Sequence, residues 1–367
     1  MSWDTIRREF PALEKGTYLN TATNGHIASR SLAAMQRHFE QRNENAALDL
    51  SRWFEDMDAI RVALGTLVGC AGEDIAFMPN ASSALSLMIS GLTWKTGDQI
   101  LSFEGEFPNQ LYYPSYLAAK GVELVVAPCG ELLDHVTERT RLVAISAVSY
   151  SNGFVAPVQQ LSQMLRARGI LLYVDGTQSV GALQTDLQSI QPDMFAVHGY
   201  KWLLAPHGAA FAYVAPALRR TLEPAVIGWR SDRGWRTFSE LNHGAPLFSD
   251  AAEKYEGGMP TFGPLYALGD SVRMMLELGP ANIEARVLML AKLVKQAVEA
   301  HGGEVLYQGS SVVAARFPGR DASRLAAEFK REGVIVAARH GNLRVSPHFY
   351  NNEEDIAHFQ ETLHRLL

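Results

Sequence analysis

The chain has 367 residues, 47% of them hydrophobic and 20% charged, with a formal net charge of −6. That is the composition of a globular protein with room for one large core and a smaller second one. The negative balance argues against a general nucleic-acid binder or a basic membrane face, and no apolar run approaches the ~20 residues that span a bilayer. The first residues, Met1-Ser-Trp-Asp-Thr-Ile-Arg-Arg-Glu9, carry acids early and no apolar segment. They do not read as a secretory signal, and a cytoplasmic protein is expected. Apolar residues at helical spacing predict amphipathic helices over 30–48 and 51–68. From 74 to 214, short apolar runs alternate with helical stretches. The runs fall at 75–78, 99–103, 122–127, 142–148, 170–175, 194–197 and 209–214; the helical stretches include 82–91, 111–120 and 158–168. Such alternation predicts an α/β protein with a mainly parallel seven-stranded sheet covered on both faces. Beyond Gly263 the pattern changes to helices at 264–277, 281–301, 322–332 and 353–366, with strands at 311–317, 334–337 and 343–345. This predicts a smaller α+β unit. Glycines and prolines cluster at 255–263, which places a large domain at 15–258 and a small one at 1–14 and 259–367. Cys70 and Cys129 form no disulfide framework and show no metal-ligand spacing, so no metal is expected.

Chemistry concentrates at the ends of the predicted strands, where open α/β sheets hold their ligands. The run Ile170-Leu-Leu-Tyr-Val-Asp175 ends in an acid, followed by Gly176-Thr-Gln178. A later run, Asp193-Met-Phe-Ala-Val-His-Gly-Tyr-Lys201, ends in a lysine. A lysine amine can form a Schiff base with an aldehyde cofactor, and a buried carboxylate can keep a pyridine nitrogen protonated. Together they suit pyridoxal 5'-phosphate. Either residue alone reads as a turn cap or a surface amine. Three more loops have places beside them. Met78-Pro-Asn-Ala-Ser-Ser-Ala84 opens a helix, whose first N–H groups can hold a phosphate, although Ser and Asn are also ordinary caps. Glu104-Gly-Glu-Phe-Pro-Asn-Gln110 offers Phe107, either a ring to stack on the cofactor or a packing residue. Ser149-Tyr-Ser-Asn-Gly153 offers Asn152, within a pair that is also a common turn.

Two stretches carry a resemblance, Val174-Asp-Gly-Thr-Gln-Ser-Val-Gly181 and His198-Gly-Tyr-Lys-Trp-Leu-Leu-Ala-Pro-His-Gly208. The chain resembles the class V aminotransferase family of pyridoxal-phosphate enzymes, of fold type I, which includes cysteine desulfurases, kynureninases and isopenicillin N epimerase-like proteins. The likeness runs from Tyr18-Leu-Asn-Thr-Ala-Thr-Asn-Gly25 to Leu343-Arg-Val-Ser-Pro-His-Phe-Tyr-Asn-Asn352, nearly the whole chain. It implies that Lys201 holds the cofactor, that Asp175 pairs with its ring nitrogen, and that Gln178 contacts its phenolic oxygen. It gives Phe107 the stacking position. Ala81, Ser82, His198 and Tyr200 are implied as phosphate contacts. Asn152 is left between the phenolic oxygen and the substrate, and Asn24 lies near the substrate. Arg344 matches the arginine that grips the substrate carboxylate. A homodimer acting on a small amino acid is implied, with aminotransfer as the leading reaction; a C–S or other β/γ-lyase or an amino-acid epimerase are the alternatives, and a non-catalytic descendant of the fold is a further reading. Two departures stand out. Ala338-Arg-His-Gly-Asn-Leu343 lacks the cysteine that desulfurases carry near this point, so a persulfide-forming desulfurase is not expected. Met259 stands where a threonine often reaches the partner subunit's phosphate, with Thr261 or a backbone N–H as its possible replacement.

Overall fold

The computed structural model describes residues 2–241 and 244–367. Seven strands form the large sheet: β1 Ile75–Met78, β2 Gln99–Phe103, β3 Glu123–Ala127, β4 Thr140–Ser146, β5 Leu171–Asp175, β6 Met194–His198 and β7 Ala210–Val214. Their order is β1-β7-β6-β5-β4-β2-β3. Only β7 runs against the others, pairing antiparallel with both β1 and β6. The expected mainly parallel α/β sheet is therefore present, and each of the seven predicted runs is one of its strands. The five strands β6-β5-β4-β2-β3 are mutually parallel, so their carboxyl ends share one edge. That edge carries the ends of the loops singled out from the sequence.

Alternation along the strands sorts side chains onto two faces. One face presents Phe77, Ile145, Val174, Phe195, Val197 and Phe211 to a core shared with helix Leu50–Val68 and helix Phe262–Leu278. The other presents Ala76, Ala144, Ala196, Ala210 and Ala212, together with Tyr173. The small residues let helix Ala81–Ser90 lie close against the sheet, and the Tyr173 hydroxyl donates to the Ala81 carbonyl at 3.2 Å. This bond ties the start of that helix to strand β5, two residues before Asp175. Burying a residue such as Val174 contributes on the order of 1.5–3 kcal/mol.

A second sheet, wholly antiparallel, is built from β8 Glu304–Val305, β9 Val313–Arg316, β10 Ala337–Arg339 and β11 Asn342–Val345. Its own core includes Leu290, Val294, Phe329 and Phe359. The predicted strand at 334–337 is two strands in fact. Val334–Ile335 pairs in parallel with Thr17–Tyr18, and β10 starts only at Ala337. A two-residue partner leaves no period to read, which is why Thr17–Tyr18 escaped the sequence pattern. The helix expected at 111–120 begins earlier, at Pro108, where the missing N–H costs nothing, and it tightens to 3-10 geometry over Leu117–Lys120.

The hydrophobic clusters bear on the domain boundary. Ile6, Phe10, Leu268 and Val272 pack into the core of the large sheet, whereas Leu290 and everything buried beyond it on helix Pro280–Ala300 belongs to the smaller core. We propose on this ground that helix Phe262–Leu278 moves with the large unit and that the small unit's own packing starts near Leu290. No helix among the described residues is long and apolar enough to cross a membrane.

Candidate active site

Strand β5 delivers a buried carboxylate. Asp175 Oδ1 accepts the Thr177 N–H at 2.9 Å, and Oδ2 accepts from Gln110 Nε2 at 3.1 Å. Strand β6 and the turn after it deliver Lys201, which is buried as well. Burial pushes the lysine down to about 8; Asp175 pulls it back up, and the Arg344 and Arg339 charges push it further down. Its Nζ lies 5.5 Å from the centre of the Phe107 ring and 5.4 Å from that of Tyr200. A single cavity is lined by Ala81, Ser82, Phe107, Asn109, Ser146, Tyr150, Asp175, Thr177, Gln178, His198, Tyr200 and Lys201. Eight residues named from the sequence thus meet in one place.

The N-terminal segment presses against the lysine from behind. Gly25 donates its N–H to the Tyr200 carbonyl at 2.9 Å, and a Cβ on Gly25 would stand 2.1 Å from the Lys201 carbonyl oxygen. Only glycine fits that approach. Gln178 is held at both ends: its Nε2 donates to the Ala22 carbonyl at 3.0 Å, and its Oε1 accepts from Trp202 Nε1 at 2.7 Å. One N–H of its amide stays free for the cavity.

At the other end of the cavity, helix Ala81–Ser90 opens toward it. Asn80 caps the helix by accepting from the Ser83 N–H at 2.9 Å, and Ser82 Oγ donates to Asn109 Oδ1 at 2.6 Å. His198 Nε2 is buried and has no partner. Burial, with Lys201 and His207 nearby, holds this ring down to about 4, so it is neutral at ordinary pH. A neutral ring with an unanswered nitrogen, beside free helix N–H groups, suits an anionic ligand oxygen.

Three sequence-named residues sit differently from the rest. Asn152 does not line the cavity: its Oδ1 accepts the Phe154 N–H at 2.9 Å, closing the local turn. Tyr150 of the same loop lines it instead, with its ring 5.3 Å edge-on from Phe107 and its hydroxyl 2.6 Å from His340 Nε2. Asn24 also turns away, donating to the Gly25 carbonyl at 3.0 Å. Arg344 lies just beyond the lining, fully buried, donating through Nη1 to the Tyr150 carbonyl at 2.7 Å. Met259 is exposed, and exposed Thr261 donates to the Gly208 carbonyl at 3.0 Å.

The sequence reading passed over Glu106, Gln110 and Ser146. Glu106 accepts the Ser146 N–H and hydroxyl, each at 2.6 Å, and the Phe107 N–H at 3.2 Å. It clamps the loop bearing Phe107 to the end of β4. Burial lifts its carboxyl to about 7 against these bonds, and Asp175 adds to the rise. A signal was there: an acid in a loop after a buried strand, next to the aromatic already chosen.

Known proteins resemble the chain over nearly its whole length. The family model described as aminotransferase class-V matches residues 17–359. A probable cysteine desulfurase of Methanothermobacter thermautotrophicus is 24% identical, over 100% of this chain and 98% of its own. Isopenicillin N epimerase of Streptomyces clavuligerus is 28% identical, over 95% and 94%. Among solved structures, a mutant of C-DES with glycine covalently linked to its pyridoxal-phosphate cofactor superposes with a TM-score of 0.90 at 19% identity, covering 97% of this chain and 98% of that one.

Proposed function

The chain belongs to the class V aminotransferase family, and on that premise we propose that it is a pyridoxal-phosphate enzyme that transfers the amino group of a small amino acid. The observation that carries this reading is the meeting of Lys201 and Asp175 in one cavity, with Phe107 beside the lysine and helix Ala81–Ser90 at the far end. The residues present fit the cofactor. The free helix N–H groups are donors for its phosphate, joined by His198 Nε2 where that nitrogen carries the ring's proton, and Asp175 is placed to keep a ring nitrogen protonated. Bound there, the group supplies an electron-accepting ring that stabilises negative charge at a substrate Cα. The protein does the rest. Gln110 and Thr177 fix Asp175 in orientation. Phe107, with its ring centre 5.5 Å from Lys201 Nζ, would offer a face for the cofactor ring to stack on. Lys201, with its basicity lowered by burial, is suited to take a proton from Cα and return it near neutral pH. Arg344 holds the substrate carboxylate, as a planar fork does well.

The names of the two relatives favour a cysteine desulfurase or an epimerase as the second reading, so they do not support the expectation that set desulfurases aside. Persulfide formation through this chain's own thiols fits less well. Burial raises both Cys70 and Cys129, which disfavours the reactive thiolate. We extend the proposal to a homodimer, because Val226, Ile227 and Met259 leave apolar surface exposed. The test is a screen of amino acids against the cofactor-loaded protein with 2-oxoglutarate or pyruvate present, with products identified by mass spectrometry. A keto acid and a new amino acid support aminotransfer. Ammonia with sulfide points to the lyase, and inverted substrate to the epimerase.

A further inference from the structure

Arg339 is a second cation beside the site that the reading above leaves without a task. It ends β10, and the turn to β11 is only His340-Gly341, both at positive φ. In that hairpin Ala337 pairs with Arg344 and Arg339 with Asn342. Residues two apart on a strand share a face, so Arg339 and Arg344 project to the same side as diagonal neighbours. Their guanidinium groups converge on one hydroxyl. Arg339 Nη2 donates to Thr23 Oγ1 at 3.2 Å, and Arg344 Nη2 donates to the same oxygen. Their other acceptors are neutral: the Ala338 and Tyr150 carbonyls and the Asn20 side chain. Arg344 Nε is buried with no partner. Among the described residues, neither arginine makes an ion pair.

Two like charges around one hydroxyl repel each other, and a neutral acceptor answers neither. An α-carboxylate supplies one negative charge and leaves a positive one over. A ligand with two anionic groups balances the pair and is favoured over a neutral isostere through both complementarity and charge-assisted bonds. We propose that the site selects an amino acid with a second acidic group, Arg344 holding the α-carboxylate and Arg339 the side-chain acid. The proposal rests on the reading of this cavity as an amino-acid site.

The experiment compares acids with their neutral isosteres. Aspartate and asparagine, then glutamate and glutamine, are titrated into the cofactor-loaded protein and followed by visible absorbance. Succinate and succinamate, which lack the amine, are titrated by calorimetry as unreactive probes. The acid of each pair should bind about tenfold or more tightly. Arg339→Gln should bring the acid-to-amide ratio close to one, and Arg339→Lys should keep part of it. Equal binding of acid and amide by the parent protein, or a ratio unchanged in Arg339→Gln, overturns the proposal. If no amino acid alters the absorbance while succinate still outbinds succinamate, the arginine pair is an anion site and the amino-acid reading is what fails.

Discussion

Beside β1, Arg61 and Arg230 close on the Glu256 carboxylate, each at 2.6 Å; just beyond the cavity lining, Arg339 and Arg344 close on the Thr23 hydroxyl. Both places bury guanidinium groups, yet their electrostatics differ in kind. At the first, burial works against the charges, but Arg61 and Arg230 together still hold the Glu256 carboxyl below the usual range. Arg61 is likewise raised in spite of its burial, by Glu256. At the second, burial and then Arg339 lower Arg344 to about 9. The buried glutamates repeat the contrast. Glu256 has two arginines, whereas Glu106 has only hydrogen bonds and rises to about 7. A charge that is answered within the chain serves the fold. One left unanswered is free to meet a charge brought by a ligand. The loop 228–238, dense in arginine and tryptophan, belongs to the first kind: Arg230 and Trp235 are both buried, and the Arg230 guanidinium lies 4.6 Å from the Trp235 ring.

This contrast can be broken by experiment. The largest effect should come from Asp175→Ala, which should slow turnover about a thousandfold, ~4 kcal/mol in the barrier, while cofactor still binds. Near-normal rates in that variant would remove Asp175 from the chemistry. Next comes Glu256→Gln, which leaves two buried guanidinium groups facing a neutral amide. It should cost about 3–5 kcal/mol of stability, read from denaturant midpoints. If the midpoint is unmoved, the pairing does not support the fold and the contrast fails. Arg344→Lys should act the other way, weakening substrate binding by roughly 1–3 kcal/mol. Its denaturant midpoint should fall less than that of Glu256→Gln, since only hydrogen bonds to neutral groups are lost, and its cofactor spectrum without substrate should match that of the parent. Unchanged steady-state constants for carboxylate-bearing substrates would place Arg344 outside the binding site.

The smallest effect is in pH. Between 4.5 and about 7 folded Glu106 keeps a proton that the unfolded chain releases. Its contribution to stability is therefore complete at the acid end and fades as pH rises through that window. In the cofactor-free protein, Glu106→Gln should flatten this part of the stability–pH curve. An identical slope in both proteins would mean that Glu106 is ionised in the fold.

Much of the fold could be read from the chain because buried parallel strands are nearly all apolar and their ends are marked by polar or small residues. Val174-Asp175-Gly176 and His198-Gly-Tyr-Lys201 announce both the strand end and the chemistry. Eight of the eleven site residues named from the sequence line one cavity for the same reason: parallel strands bring their carboxyl ends to a single edge, whatever their separation in sequence. What the sequence could not decide is direction within a loop. In Ser149-Tyr-Ser-Asn-Gly153 the turn closes on the Asn152 side chain and sends Tyr150 to the cavity, a choice made by turn geometry and by the His340 contact nearly two hundred residues away. Arg339 and Arg344 are five residues apart and carry no sign that they act together. Only the pairing of β10 with β11 puts them on one face, and only the crossing of the N-terminal segment brings Thr23 between them. Composition and periodicity act over neighbours along the chain. Whether a buried charge finds its counter-charge depends on which distant segments are brought together, and that is settled by packing alone.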